Sequence, residues 1–93
     1  MQLTAGHVIA ARGLLGLSQE ELAESIGRNP QTISRFEKGE RVPGDAILDK
    51  IREELEKRGI EFTNGTGTGV RLDHAKAAAY SRSVASTRKD SGG

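Results

Sequence analysis

A chain of 93 residues allows one domain and a tail. With no cysteine it holds neither a disulfide framework nor a thiolate metal site, which suits a reducing compartment. The 14 Lys and Arg against 13 Asp and Glu leave a net charge of +1, so any grip on a polyanion has to come from a local cluster of cations.

No apolar run approaches the ~18 residues that span a bilayer, and the N-terminus lacks the basic stretch, apolar run and cleavage site of a secretory signal. The expectation is a cytoplasmic protein with no membrane contact. Phe36, Phe62 and Tyr80 are the only aromatic residues besides histidine, so the core must be aliphatic and small.

The first helix is predicted over residues 5–15, with Thr4 as its N-cap and Gly16 just past its end. Val8, Ala11, Arg12 and Leu15 share a stripe, and Gly13 inside the helix costs about 1 kcal/mol relative to alanine. A second helix starts at an S-x-x-E capping box, Ser18 with Glu21, flanked by Leu17 and Leu22 in the two positions of a hydrophobic staple. Leu22, Ala23 and Ile26 form its buried stripe, and Gly27 stops it.

Asn29-Pro30 restarts the chain as a third helix, because asparagine caps well and proline at the first helical position gives up an amide that has no helical partner. Ile33 and Phe36 point one way; Gln31, Ser34, Arg35 and Lys38 point the other. A fourth helix over about 45–58 follows, with Ile47, Leu48, Ile51 and Leu55 as its stripe and Gly59 at the cap.

The period then drops to two. Ile60 and Phe62 alternate with Glu61, Val70 and Leu72 with Arg71, and a Thr/Gly run lies between them. This reads as a small β-hairpin or two short strands. A lone hairpin is marginal in water, so its edge is expected to pair with something, a second subunit being one choice. Asp73 can cap a last helix through about residue 85, with Tyr80 and Val84 on one face, and 89–93 are expected to be disordered.

Charge is uneven along this frame. Residues 18–26 carry Glu20, Glu21 and Glu24 without a cation; residues 27–41 carry Arg28, Arg35, Lys38 and Arg41 against Glu37 and Glu40. The Thr/Gly run at 63–69 lacks the G-K-[ST] ending of a P-loop, and His7 and His74 have no second His or Cys at ligand spacing, so no metal or cofactor is expected. No nucleophile–base pairing suggests an enzyme.

SQEELAESIG followed by TISRFEKGERVP resembles the helix-turn-helix domain of the lambda-type phage repressors, the Cro proteins and the Xre-type bacterial regulators. The resemblance covers about residues 3–55 and runs without gaps over 12–43. It implies a mainly α fold, a compact four-helix lambda-repressor-like domain over 1–58; the period-two pattern adds a β-hairpin or strand extension over 59–73, and the fourth helix with the 60–72 strand edges is the candidate dimer surface. A basic Ala/Ser-rich tail, partly helical or disordered, completes the chain over 74–93.

The resemblance also implies roles. Pro30, Gln31 and Thr32, with Ser34 and Arg35 later on the same face, are the expected base readers; Gln19, Lys38 and Arg41 contact phosphates, and Arg28 in the turn is a further candidate. Pro30 departs from relatives with a polar reader there, because proline offers no donor and at most an apolar contact. Arg12 and Glu37 are implied to form a structural ion pair.

The expected function is a sequence-specific regulator binding double-stranded DNA, a repressor acting as a homodimer on a palindromic operator, bacterial or phage-encoded. The alternative is an antitoxin that autoregulates its operon and holds a toxin through residues 60–93. A third reading, a protein adaptor that kept the fold, fits poorly with the retention of Gln19, Gln31, Arg35 and Lys38.

Overall fold

The computed structural model describes residues 2–63 and 67–92, with side chains in the last helix described as far as residue 85. Helix α1 spans Ala5–Leu15, α2 Gln19–Ser25, α3 Pro30–Glu37 and α4 Asp45–Lys57; strands β1 (Ile60–Thr63) and β2 (Gly69–Leu72) precede α5 (His74–Gly92). Among the described residues no helix is long and apolar enough to cross a membrane.

Each of the first three helices starts at a side-chain cap. Ser18 Oγ accepts from Glu21 N while Glu21 returns its carboxylate to Ser18 N, both at 3.0 Å. Asn29 Oδ1 accepts from Gln31 N at 2.9 Å, with Pro30 in the first helical position. At α1 the box is completed by a histidine: Thr4 Oγ1 accepts from His7 N at 3.3 Å, and Thr4 N donates to His7 Nδ1 at 2.9 Å.

The apolar stripes of α1 to α4 meet in one core. Val8, Leu22, Ile33, Ile51 and Leu55 are fully buried, and Leu17 joins the same cluster ahead of the α2 cap. Burying each large aliphatic side chain contributes about 1.5–3 kcal/mol, so these few residues carry most of the drive to fold. Glu54 is buried with them, and Arg58 Nε donates to it at 2.8 Å.

Beside this core, Arg12 of α1 reaches Glu37 at the end of α3 through two parallel bonds, Nε to Oε2 at 2.6 Å and Nη2 to Oε1 at 2.7 Å. Arg12 Nη1 also donates to the carbonyl of Leu17 at 2.9 Å. The guanidinium thus ties α1 to both the α1–α2 turn and α3. The Glu37 side chain is only 7% exposed, whereas Arg12 keeps 20%.

The strands form an antiparallel hairpin in the register Ile60↔Leu72, Glu61↔Arg71, Phe62↔Val70 and Thr63↔Gly69. Opposed residues share a face, so Ile60, Phe62, Val70 and Leu72 lie together and pack on the core. The other face carries Glu61, which accepts from Arg71 Nη2 at 2.6 Å and Lys76 Nζ at 3.0 Å. Within the chain β2 packs on α1 and β1 on α4, which supports a hairpin that would be marginal alone. The Phe62 ring meets His7 edge-on, with centroids 5.4 Å apart.

Gly59 joins α4 to β1 at φ 112°, and a Cβ there would lie 2.9 Å from the Ala77 amide nitrogen. Only glycine allows both that backbone and that approach. Helix α5 begins where Asp73 Oδ1 accepts from Lys76 N at 2.9 Å, and Tyr80 stacks beneath Arg58, 5.0 Å from its ring centroid. It continues to Gly92, past the end expected near residue 85, since no proline interrupts its backbone after the alanine run. Gly93 lies outside the described residues.

His7 and Glu37 yield two predictions. Burial pushes the His7 imidazole below its ordinary value of 6.5, and its Nδ1 can accept from Thr4 N only when that nitrogen is unprotonated. The unfolded chain therefore takes up the proton first, so the stability His7 supplies is complete above pH 6.5 and is lost as pH falls below it. The thermal midpoint should drop on going from about pH 7.5 to about pH 5.5, and His7→Gln, which keeps a capping acceptor, should flatten that drop. An unchanged pH profile in the variant would remove His7 as the cause. Glu37→Ala should cost about 3 kcal/mol, toward the low end for breaking a buried pair because Arg12 retains contact with water. Thermal unfolding should show this as a fall of more than about 10 °C.

Candidate nucleic-acid interface

The unit formed by α2, its turn and α3 is set by backbone geometry at both ends. Gly27 adopts φ 70°, and Arg28 N then bonds back to Ala23 O at 2.8 Å, closing the end of α2 before Asn29 caps α3. Ile33 and Phe36 are buried against the core, which leaves the opposite side of α3 outward. Gln31, Arg35 and Lys38 are exposed there, and Thr32 and Ser34 are half-buried on its flanks.

After Lys38 the chain folds back on α3. Glu40 N and Arg41 N both donate to the Arg35 carbonyl, at 2.9 and 3.3 Å, which holds the α3–α4 loop beside the helix. Between loop and helix lies an open cleft of about 380 Å³ lined by Asn29, Gln31, Thr32, Arg35, Arg41 and Val42, with Pro43, Gly44 and Ile47 at its α4 end. Four of the candidate site residues (Gln31, Thr32, Arg35 and Arg41) are thus gathered on one depression. Pro30 is exposed at the start of α3, Arg28 is exposed in the turn, and Ser34 and Lys38 lie outside the cleft.

Gln19 sits differently. It is half-buried at the first position of α2, and its Nε2 donates to Glu37 Oε1 at 3.0 Å. Burial alone would push the Glu37 carboxyl up, but the hydrogen bonds from Arg12 and Gln19 and the charge of Arg12 outweigh it and hold the group below the usual carboxylate range. Arg12 is raised in turn, chiefly by its hydrogen bond to Glu37. Both stay charged throughout the neutral range.

The cations divide into two groups. Arg12, Arg52, Lys57, Arg58, Arg71 and Lys76 each make an ion pair. Among the described side chains, Arg28, Arg35, Lys38, Arg41, Lys50 and Arg82 make none, and the first four surround α3. The carboxylates of Glu20, Glu21 and Glu24 are exposed on α2 and stay out of the cleft. A face with unneutralised guanidinium and ammonium groups, hydrogen-bonding side chains and a helix edge suits a polyanion with groove edges to be read.

Sequence reasoning passed over two contributors. Val42 is 64% exposed on the rim of the cleft, and the signal was its isolation in the polar run E-R-V-P-G. Asn29 was read as a cap, yet it also lines the cleft.

A helix-turn-helix family model matches residues 8–62. Over 74 residues the chain is 35% identical to an uncharacterized HTH-type transcriptional regulator of Sinorhizobium medicae, covering 74% of this chain and 53% of that one. Over 47 residues it is 45% identical to an uncharacterized HTH-type transcriptional regulator of Methanothermobacter thermautotrophicus, covering 50% of this chain and 68% of that one. It is also 38% identical over 48 residues to multiprotein-bridging factor 1b of Arabidopsis thaliana, covering 52% of this chain and 34% of that one. The chain thus spans between about a third and about a half of the length of several relatives it matches. The matched stretch contains the whole α2–turn–α3 unit, and the chain belongs to the lambda-repressor-like, Xre-type helix-turn-helix family of transcriptional regulators.

Proposed function

We propose that the chain is a sequence-specific double-stranded DNA-binding regulator, a repressor, that lays α3 in the major groove and acts by binding, without catalysis or cofactor. The observation that carries this reading is the cluster of four unpaired cations around α3 in a protein whose other described cations are mostly paired. Gln31 and Arg35 read bases, since glutamine pairs two-pronged with adenine and arginine with guanine O6 and N7. Thr32 and Ser34 assist from the flanks, and Pro30 adds an apolar contact. Arg28, Lys38 and Arg41 grip phosphates, with Gln19 beside them, and supply salt-dependent affinity.

One α3 reads too few base pairs for useful specificity, and a homodimer on a palindromic operator solves that. The outer face of α4 exposes charged groups such as Asp49, Lys50 and Glu53, which suits a dimer core poorly. Large apolar side chains are instead exposed at Ile9 and Leu14 of α1, so α1 offers the better surface for a second copy.

Selection from a random pool of duplex DNA should enrich a palindromic sequence; a pool that stays random would contradict the reading. On the selected duplex, Arg35→Ala should lose about 1–3 kcal/mol of discrimination at one base pair per half-site. Lys38→Ala should weaken all sequences alike and reduce the salt slope by about one per half-site. Both exposed substitutions should leave the thermal midpoint within the change expected of surface sites, about 0.5 kcal/mol.

A further inference from the structure

The hydrogen bond between Gln19 and Glu37 has no need to exist for the ion pair's sake. Arg12 already meets both carboxylate oxygens of Glu37, at 2.6 and 2.7 Å. Gln19 adds a third donor to Oε1 at 3.0 Å, from the first position of α2. A carboxamide nitrogen carries two N–H groups, so the bond to Glu37 leaves the second one free to donate elsewhere. The carboxylate is itself immobilised: Arg12 holds it from α1, and the third arm of Arg12 grips the Leu17 carbonyl, one residue before the α2 cap. Gln19 is therefore fixed by a chain of contacts that runs through α1, the α1–α2 turn and α3.

We propose that Glu37 is a positioning residue for DNA binding, holding the Gln19 carboxamide so that its second N–H meets a backbone phosphate without further ordering. This rests on the DNA-binding reading above. A glutamine side chain left to rotate has to be ordered when it binds, and the bond to Glu37 completes that ordering during folding. Glu37 thereby links the buried brace of the fold to affinity for DNA through a residue that touches both.

The test is a double-mutant cycle on the full chain with the duplex selected from a random pool. Gln19→Met, which keeps the length of the side chain and removes the donor, should weaken binding by about tenfold in the native background. In a Glu37→Met background, which offers Gln19 no carbonyl or carboxylate acceptor and is kept well below its thermal midpoint, the same change should cost less than about twofold, because the amide is already unanchored. Arg35→Ala should cost the same in both backgrounds, which shows that α3 still reads. Equal costs of Gln19→Met in both backgrounds, or no cost in either, overturn the positioning role while leaving DNA binding intact. If the native chain binds no duplex, the DNA-binding reading falls and this inference with it.

Should Glu37→Met fail to fold, nuclear magnetic resonance on the native chain decides the point. One side-chain amide proton of Gln19 should already be shifted and protected in the free protein, and the other should move on adding the duplex. Two equivalent, freely exchanging protons in the free protein, or two protons that ignore the duplex while the Arg35 amide responds to it, would refute the proposal.

Discussion

The bidentate contact of Arg12 with Glu37 is the constraint on which the orientation of the α2–turn–α3 unit depends. An isolated helix of eight residues such as α3 is not stable in water, and its direction is set by what it packs on. Ile33 and Phe36 supply the burial, but apolar packing alone tolerates small rotations about the helix axis. A planar guanidinium meeting a carboxylate through two parallel bonds does not. Because Arg12 also holds the Leu17 carbonyl, the start of α2 and the end of α3 are referenced to the same side chain of α1. The turn between them can then be short, with Gly27 providing the one left-handed residue it requires.

The same sorting of charge that braces the fold leaves its outer face available. Glu37, Glu54 and Glu61 each hold nearby cations, and these pairs lie under α3, along α4 and across the hairpin. Arg28, Arg35, Lys38 and Arg41 are left unpaired, and the loop amides that bond to the Arg35 carbonyl keep Arg41 beside the helix. A protein with a net charge of +1 thus presents a locally cationic surface without being a basic protein overall. The acidic side chains of α2 stay off the cleft, so the local field is not cancelled.

Much of this was legible in the sequence because it depends on local chemistry. The S-x-x-E box at Ser18, the Asn29-Pro30 start and the period-two stretches around Phe62 and Val70 mark elements whose causes lie within a few residues. Partnerships across the chain were harder. Nothing near His7 says that it packs on Phe62, since that pairing joins residues more than fifty apart; its closing of the Thr4 cap is local, but histidine stands there where a capping box has Glu or Gln. Gln19 was assigned to phosphate from resemblance alone, and its bond to Glu37 emerges only when α2 and α3 are folded together. That β2 packs on α1 is likewise a contact between distant residues that the period-two pattern does not carry. The end of α5 was misplaced for a simpler reason: a polar, alanine-rich run without proline carries no stop signal.

We propose that this protein meets DNA through the α3 face. The most direct measurement is a backbone amide titration of the isotope-labelled chain with its selected duplex, followed residue by residue. The largest shifts should fall on Gln31, Thr32, Ser34, Arg35 and Arg41, with smaller ones at Gln19 and Arg28. Shifts concentrated on the outer face of α1 or on α5, with α3 silent, would contradict it.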